Sequence, residues 1–255
     1  MRFKKLPLIM LAVLAVLAFG LAGFALAAKP VASTALAADV AAKADKFTAA
    51  TKTEIAQQAE GAKVRVKKPT DRPLRVLFAG DSLTYGLYTS AENKGFRPLV
   101  VAGLSATMAV EETKAQFSGA GVNQVSNLVS APENLDLAII ELGTNDVPKT
   151  DLGAFRDQYA ALITKIRTPS PGAALLCVGT WSPGDAQTLP FNYAIKDACV
   201  KNGGQYVDVL DLYNAAGNHG AEGVKTWAGV SDTFHPNDAG HKAIADLILS
   251  RIALV

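Results

Sequence analysis

Charged residues are scarce in this chain of 255 residues: Asp, Glu, Lys and Arg together make up 19%, against 49% hydrophobic residues. That balance excludes a disordered tail, which has too little apolar surface to offset the entropy of ordering. It leaves enough for a sizeable core. There are only three histidines and two cysteines, and they form no cluster, so no structural or catalytic metal site is expected. No cofactor is implied either, since no glycine-rich stretch has the pattern that cradles nucleotide phosphates. No internal repeat is visible.

Positive charge is nearly absent as an excess. The net charge is +2, and its distribution argues against a nucleic-acid partner. Residues 1–28 hold three basic groups and no acid, and residues 29–73 hold nine basic against five acidic groups. Residues 74–255 carry 13 basic against 18 acidic groups. A mildly acidic globular region repels a phosphate backbone.

The chain itself divides along the same lines. Its start, MRFKKLPLIMLAVLAVLAFGLAGFALAAKP, has Arg2, Lys4 and Lys5 ahead of an apolar run from Leu6 to about Ala28. Ala25-Leu26-Ala27 is a small-x-small site, so residues 1–28 read as an export signal. The run is also long enough to span a bilayer of ~30 Å, so a cleaved signal peptide and a retained anchor both remain open. Either way residues 29–255 are expected outside the cytoplasm. Residues 29–73, rich in Ala, Lys and Thr, read as a linker or stalk. The cluster Lys63-Val64-Arg65-Val66-Lys67-Lys68 is either a solvated part of it or a contact to an anionic wall or membrane surface. Association with membrane or wall is accordingly expected through residues 1–73, and the enzyme-sized remainder is expected to be a monomer. In an oxidising compartment Cys177 and Cys199 are candidates for a bridge. Cys177 also suits a small buried core residue, since it lies in AALLCVGTW, and both readings stand.

From Leu74 onward apolar runs alternate with amphipathic stretches. Strands are expected at Arg75–Ala79, Ala109–Gln116, Leu135–Leu142, Ala173–Gly179 and Tyr206–Leu210. Helices are expected near Lys94–Ala106, Ala154–Ile166, Phe191–Val200 and Ala243–Leu254. This alternation predicts an α/β fold over 74–255, a three-layer α/β/α sandwich around a five-stranded parallel sheet. Ligand sites in such sheets lie at the carboxyl ends of the strands.

Three segments deliver reactive groups to that edge. Ser82 follows the first run, in FAGDSLTYG. Asn145 follows the third, in Gly143-Thr144-Asn145-Asp146. Asp232-Thr233-Phe234-His235 precedes the last helix. A serine hydroxyl needs an imidazole to take its proton, and the imidazole needs a carboxylate to hold its tautomer. Asp232 and His235 can meet within one loop. Asn145 and backbone N–H groups can stabilise the oxygen of a tetrahedral intermediate. The Gly-x-Ser-x-Gly elbow of many serine enzymes is missing, because Thr84 stands where its second glycine belongs.

These blocks resemble the SGNH (GDSL) hydrolase superfamily of exported esterases, lipases and deacetylases. Its first block is matched by Gly80-Asp81-Ser82-Leu83-Thr84-Tyr85-Gly86. Its third is matched by Gly143–Asp146, and its fifth by Asp232–His235 with Pro236–His241 continuing it. The resemblance implies a flavodoxin-like fold, Ser82 as nucleophile, His235 as base and Asp232 as its orienting acid. It also implies an oxyanion hole made by the N–H of Ser82, a glycine N–H and the side chain of Asn145. That glycine falls in SGAGVNQVSNLV, where Gly121 is preferred to Gly119 because a helical stretch begins just after it. The substrate is then expected to be an acetylated carbohydrate or short-chain ester. Acyl transfer to an envelope sugar and a non-catalytic glycan-binding module are the other readings.

Of the remaining candidates, His219 reads as an exposed loop residue, and His241 as no partner of His235 in metal binding. Asp81 and Asp146 are expected to tie down the turns they sit in. Trp181 and Trp227 suit either the lining of a substrate pocket or packing at its rim.

Overall fold

In the computed structural model of the protein, residues 63–255 are described. The signal or anchor segment and most of the proposed linker lie outside them. The described residues belong to one unit of the chain, Thr48–Val255. Five strands form the central sheet: β2 (Leu74–Gly80), β3 (Val110–Gln116), β4 (Leu137–Glu141), β5 (Ala174–Val178) and β6 (Gln205–Val207). They are all parallel and run in the order β3-β2-β4-β5-β6. This is the five-stranded α/β sandwich expected from the sequence. The interior strands are near-continuous apolar runs, LRVLFAG, LAIIE and ALLCV, because both of their faces are covered. The edge strand β3, VEETKAQ, buries only Ala115, which explains its weaker signal in the sequence.

Helices close both faces. Alternate residues of β2 feed two cores: Leu77 and Ala79 point to one, Val76 and Phe78 to the other. The first core is completed by α3 (Val122–Leu128), α4 (Leu152–Arg167) and α5 (Leu189–Lys201). The second is completed by α2 (Phe96–Ser105) and α7 (Asp238–Ser250). Two further helices are single turns, α1 (Ser82–Tyr85) and α6 (Leu210–Asn214). Local chemistry sets the helix starts. Asp151 accepts from the N–H groups of Gly153 and Ala154 at α4, and Asn237 accepts from that of Gly240 at α7, so donors without intrahelical acceptors are satisfied.

The structure departs from the sequence reading at both ends of the domain. The last helix spans Asp238–Ser250 rather than Ala243–Leu254, and Ile252–Leu254 forms a strand, β9. Its partner is β1, Val64–Val66, in the stretch assigned above to the linker. Val64 and Val66 are buried while Lys63, Arg65 and Lys67 are exposed. That is the period-2 alternation of a half-buried strand, which three residues are too few to reveal among so many lysines. A small antiparallel hairpin, β7 (Lys225–Thr226) and β8 (Gly229–Val230), lies in the loop before α7.

Cys177 on β5 and Cys199 on α5 are joined by a disulfide, so the open question about them is answered in favour of a bridge. Closing a loop with a sequence separation of 22 residues stabilises the fold by about 3 kcal/mol in the chain-entropy account. The double variant Cys177→Ala/Cys199→Ala is therefore expected to lose about 3 kcal/mol in denaturant unfolding. A midpoint equal to that of wild type would show that the bridge does not form in solution.

Candidate active site

The sheet order places β3 on one side of β2 and β4 on the other. Their following loops diverge there, which leaves a crevice at the carboxyl ends of the strands. Ser82 enters it from the end of β2 and Asn145 from the end of β4. Gly80, the last residue of β2, must be glycine: a Cβ there would lie 1.8 Å from Thr84 Oγ1 and 2.9 Å from the carbonyl of Glu141. The chain then turns at once into α1, which ends on Gly86 in the left-handed region at φ 82°. Ser82 is the first residue of that turn, so its N–H has no intrahelical acceptor.

The three residues expected to act together meet. Ser82 Oγ lies 3.0 Å from His235 Nε2, and His235 Nδ1 lies 2.8 Å from Asp232 Oδ2. Asp232 Oδ1 also accepts the backbone N–H groups of Phe234 at 3.0 Å and His235 at 2.8 Å. Partial burial works against its charge. The hydrogen bonds from His235 and Phe234 more than offset this and hold its carboxyl below the usual range. Asp232 thus stays an acceptor for the ring N–H of His235.

Asn145 is fixed from behind. Its Nδ2 donates to Asp81 Oδ2 at 2.8 Å, which leaves the second amide hydrogen for the crevice. Asp81 is fully buried and its Oδ1 accepts the Leu83 N–H at 3.0 Å. Asp146 caps α3, its carboxylate accepting the Val122 N–H. Both aspartates hold their turns, as expected. Gly121 precedes α3 and is pressed on Asp146, where an added Cβ would lie 2.5 Å from Oδ1. Its N–H donates to Gln124 Oε1 at 3.1 Å. Gly119, the alternative, has φ 79° with no atom near the place of a Cβ.

The structure resolves the aromatic candidates. Trp181 is fully buried and donates through Nε1 to the carbonyl of Phe234 at 2.8 Å, so it braces the Asp232–His235 loop from the core. Trp227 is part-exposed, stacks on Tyr85 at 5.3 Å and donates to Thr89 Oγ1. It belongs to the rim. His219 is not the exposed loop residue expected from the sequence. It packs against Trp181 and Tyr213, and its ring nitrogens lie 3.0 Å from the Phe234 carbonyl and 2.5 Å from that of Tyr213. His241 is fully buried. Burial pushes its imidazole down to about 4, so it stays neutral and accepts the Phe96 N–H.

Tyr88 and Glu141 escaped the sequence reading. Tyr88 sits at φ 66°, a conformation costly for a bulky residue, with its ring edge-on to His235 at 5.0 Å. A cleft of about 430 Å³ opens beside Tyr88, lined also by Ser90, Val224, Thr226 and Asp238. Nothing local in the sequence marks that backbone. Glu141 ends β4, opposite Gly80, and is buried. An acid closing the apolar run LDLAIIEL was the available signal.

With this geometry in hand, comparison with known proteins is informative. The model of the GDSL-like Lipase/Acylhydrolase family matches residues 78–243. Among solved structures, the chain is similar to the psychrotrophic esterase EstA from Pseudoalteromonas sp., whose structure was determined inhibited by monoethylphosphonate. The two share 16% identity over 70% of this chain and 96% of that one, with a TM-score of 0.55. It is similar to the lipase Lip_vut3 from a goat rumen metagenome, at 16% identity over 71% and 100% of the two chains and a TM-score of 0.57. A carbohydrate esterase family 2 enzyme from Corynascus thermopiles aligns at 18% identity over 71% of this chain and 67% of that one, with a TM-score of 0.50. At such identities the likeness is one of fold. Comparison with curated proteins gave no match.

Proposed function

The chain belongs to the GDSL-like lipase/acylhydrolase family and is a carboxylic ester hydrolase; from that premise we propose that it is an exported serine esterase working through an acyl-enzyme on Ser82. The observation that carries the mechanism is the unbroken hydrogen-bonded run from Ser82 Oγ through His235 to Asp232. His235 Nε2 takes the proton of Ser82 as its oxygen attacks the ester carbonyl. The ring, now charged, is held by Asp232. The N–H of Ser82 and the free hydrogen of Asn145 Nδ2 receive the developing oxyanion, together with the Gly121 N–H once Gln124 gives way. His235 then protonates the departing alcohol, and water releases the acid by the reverse route.

The substrate class we propose is an acetylated carbohydrate or short-chain ester. Part-exposed Trp227, stacked on Tyr85, and Phe234, edge-on to His235, offer aromatic surface that suits a sugar ring. Carbohydrate esterase is also the printed description of one of the similar structures. Export is supported by the N-terminal segment and by the Cys177–Cys199 bridge, since disulfides persist in oxidising compartments. The exposed Lys63, Arg65 and Lys67 suit an anionic wall or membrane surface. Arg65 and Lys67 line a second cleft with residues 134–136 and 169–172, at the amino ends of the strands and away from Ser82.

The test is hydrolysis of p-nitrophenyl acetate and octanoate by the full chain. The acetate is expected to have the higher kcat/KM, by about tenfold or more. A preference for octanoate would overturn the short-chain reading, and no activity on either ester by folded protein would overturn the esterase reading. A phosphonate inhibitor is expected to transfer its phosphonyl group to Ser82 with loss of its leaving group, raising the mass of the peptide containing Ser82 accordingly.

A further inference from the structure

Two buried carboxyl groups lie directly beneath the nucleophile, and the mechanism above uses neither. Asp81 and Glu141 are respectively 0% and 1% exposed, and they take consecutive N–H groups of one turn, Leu83 on Asp81 and Thr84 on Glu141. Two carboxylates buried this close repel each other, and a proton on one of them relieves the repulsion. Asp81 already has three donors around it, the Leu83 N–H, Asn145 Nδ2 and, at 3.5 Å, the Ser82 hydroxyl. Glu141 Oε2 accepts the N–H of Thr84 at 3.2 Å and its hydroxyl at 2.9 Å. Glu141 Oε1 is buried without a hydrogen-bond partner, which disfavours a charged carboxylate there.

We propose that Glu141 stays protonated and donates to Asp81, making it a positioning residue: it keeps Asp81 a carboxylate aimed at Asn145, and so turns the Asn145 amide toward the oxyanion. Energetics agree with the geometry. Burial first, and then the charge of Asp81, push the Glu141 carboxyl well above the usual range. Burial raises Asp81 as well, but the donors around it, Leu83 and Asn145, counter that effect. Asp81, the better supplied with donors, is the one that keeps the charge, and Glu141 the one that keeps the proton. Other groups facing the pair do not supply a cation. Asp146, on the loop after β4, adds negative charge near Asp81, and the buried Tyr159 hydroxyl on α4 is held neutral by burial. The pair also explains Thr84. Its hydroxyl, packed against Gly80, holds one oxygen of the Glu141 carboxyl and leaves the other for Asp81.

The inference rests on the proposed role of Asn145, so its test has an arm that needs no turnover. Infrared spectra of the wild-type full chain at neutral pH are expected to show a protonated-carboxyl C=O band that shifts when glutamate is labelled with ¹³C at its side-chain carboxyl. A band that moves only with labelled aspartate, or no band at all, would overturn the proposal even if the enzyme is fully active. The kinetic arm compares two variants. Glu141→Gln retains a donor to Asp81 and an acceptor for Thr84, and is expected to keep most of kcat. Glu141→Leu has neither, and is expected to lose on the order of 10²-fold in kcat with little change in KM, the scale of a misplaced catalytic group. If Gln and Leu fall alike, or neither falls, Glu141 does not position Asn145. If the wild type were inactive on all esters, the site reading would fail while the infrared result would still decide where the proton lies.

Discussion

Ser82→Ala is expected to lower kcat for ester hydrolysis on the order of 10⁴-fold or more, since no acyl-enzyme can then form. Ser82 Oγ has His235 Nε2 at 3.0 Å and Asp81 Oδ1 at 3.5 Å as its side-chain neighbours. Removing it therefore opens no cavity in the core, and the thermal midpoint is expected to stay close to that of wild type. Initial rates on p-nitrophenyl acetate, with midpoints measured alongside, make the comparison. The donors from Asn145 and the backbone survive the substitution, so a small residual rate above the uncatalysed reaction is expected. A loss of less than about tenfold would mean that another group attacks the ester, and the mechanism proposed here would be wrong.

Asp232→Asn is expected to cost about 10³–10⁴ in kcat while KM changes little. Asp232 uses Oδ1 for two backbone N–H groups, while the ring nitrogen lies nearest Oδ2, at 2.8 Å, and 3.0 Å from Oδ1. Asparagine can serve the backbone with its oxygen, but it then presents an NH₂ to His235 Nδ1. The ring accepts that bond by moving its own hydrogen to Nε2, where it faces Ser82 and cannot take a proton. The loop itself should hold, because the Phe234 carbonyl keeps its bonds from Trp181 and His219. A loss below tenfold would show that Tyr88, edge-on to the ring, and the backbone orient His235 without the carboxylate.

Much of this was legible before any coordinates. Apolar runs such as LRVLFAG and LAIIE marked buried strands because both sheet faces are covered, and their alternation with amphipathic stretches implied the parallel sheet. Ser82, Asn145, Asp232 and His235 were legible because each sits in a short block whose residue types have few other uses together. The choice between Gly119 and Gly121 was harder, since both are glycines in a turn. The structure gives them different settings, Gly121 against Asp146 and Gly119 at φ 79° with open space around it. β1 was missed because Val64 and Val66 find their partner in β9, at the far end of the chain, and no local pattern reports a pairing of that range. The assignment of His219 to an exposed loop failed for the same reason. Its partners, Trp181, Tyr213 and Phe234, come from separate segments.

The sequence by itself determined the layered α/β architecture and the set of reactive residue types, because hydrophobic period and short motifs are local properties of the chain. Only the tertiary structure decided how those residues are electrically and geometrically prepared. Burying Asp81 and Glu141 close together requires β2 and β4 to be neighbours, and that burial raises both carboxyls. The orientation of Asn145 depends on Asp81, which lies 64 positions away in sequence. The pose of Tyr88 depends on a strained backbone that its surroundings must hold. Such effects arise from contacts between distant segments in a medium that excludes water, and no stretch of sequence carries them alone.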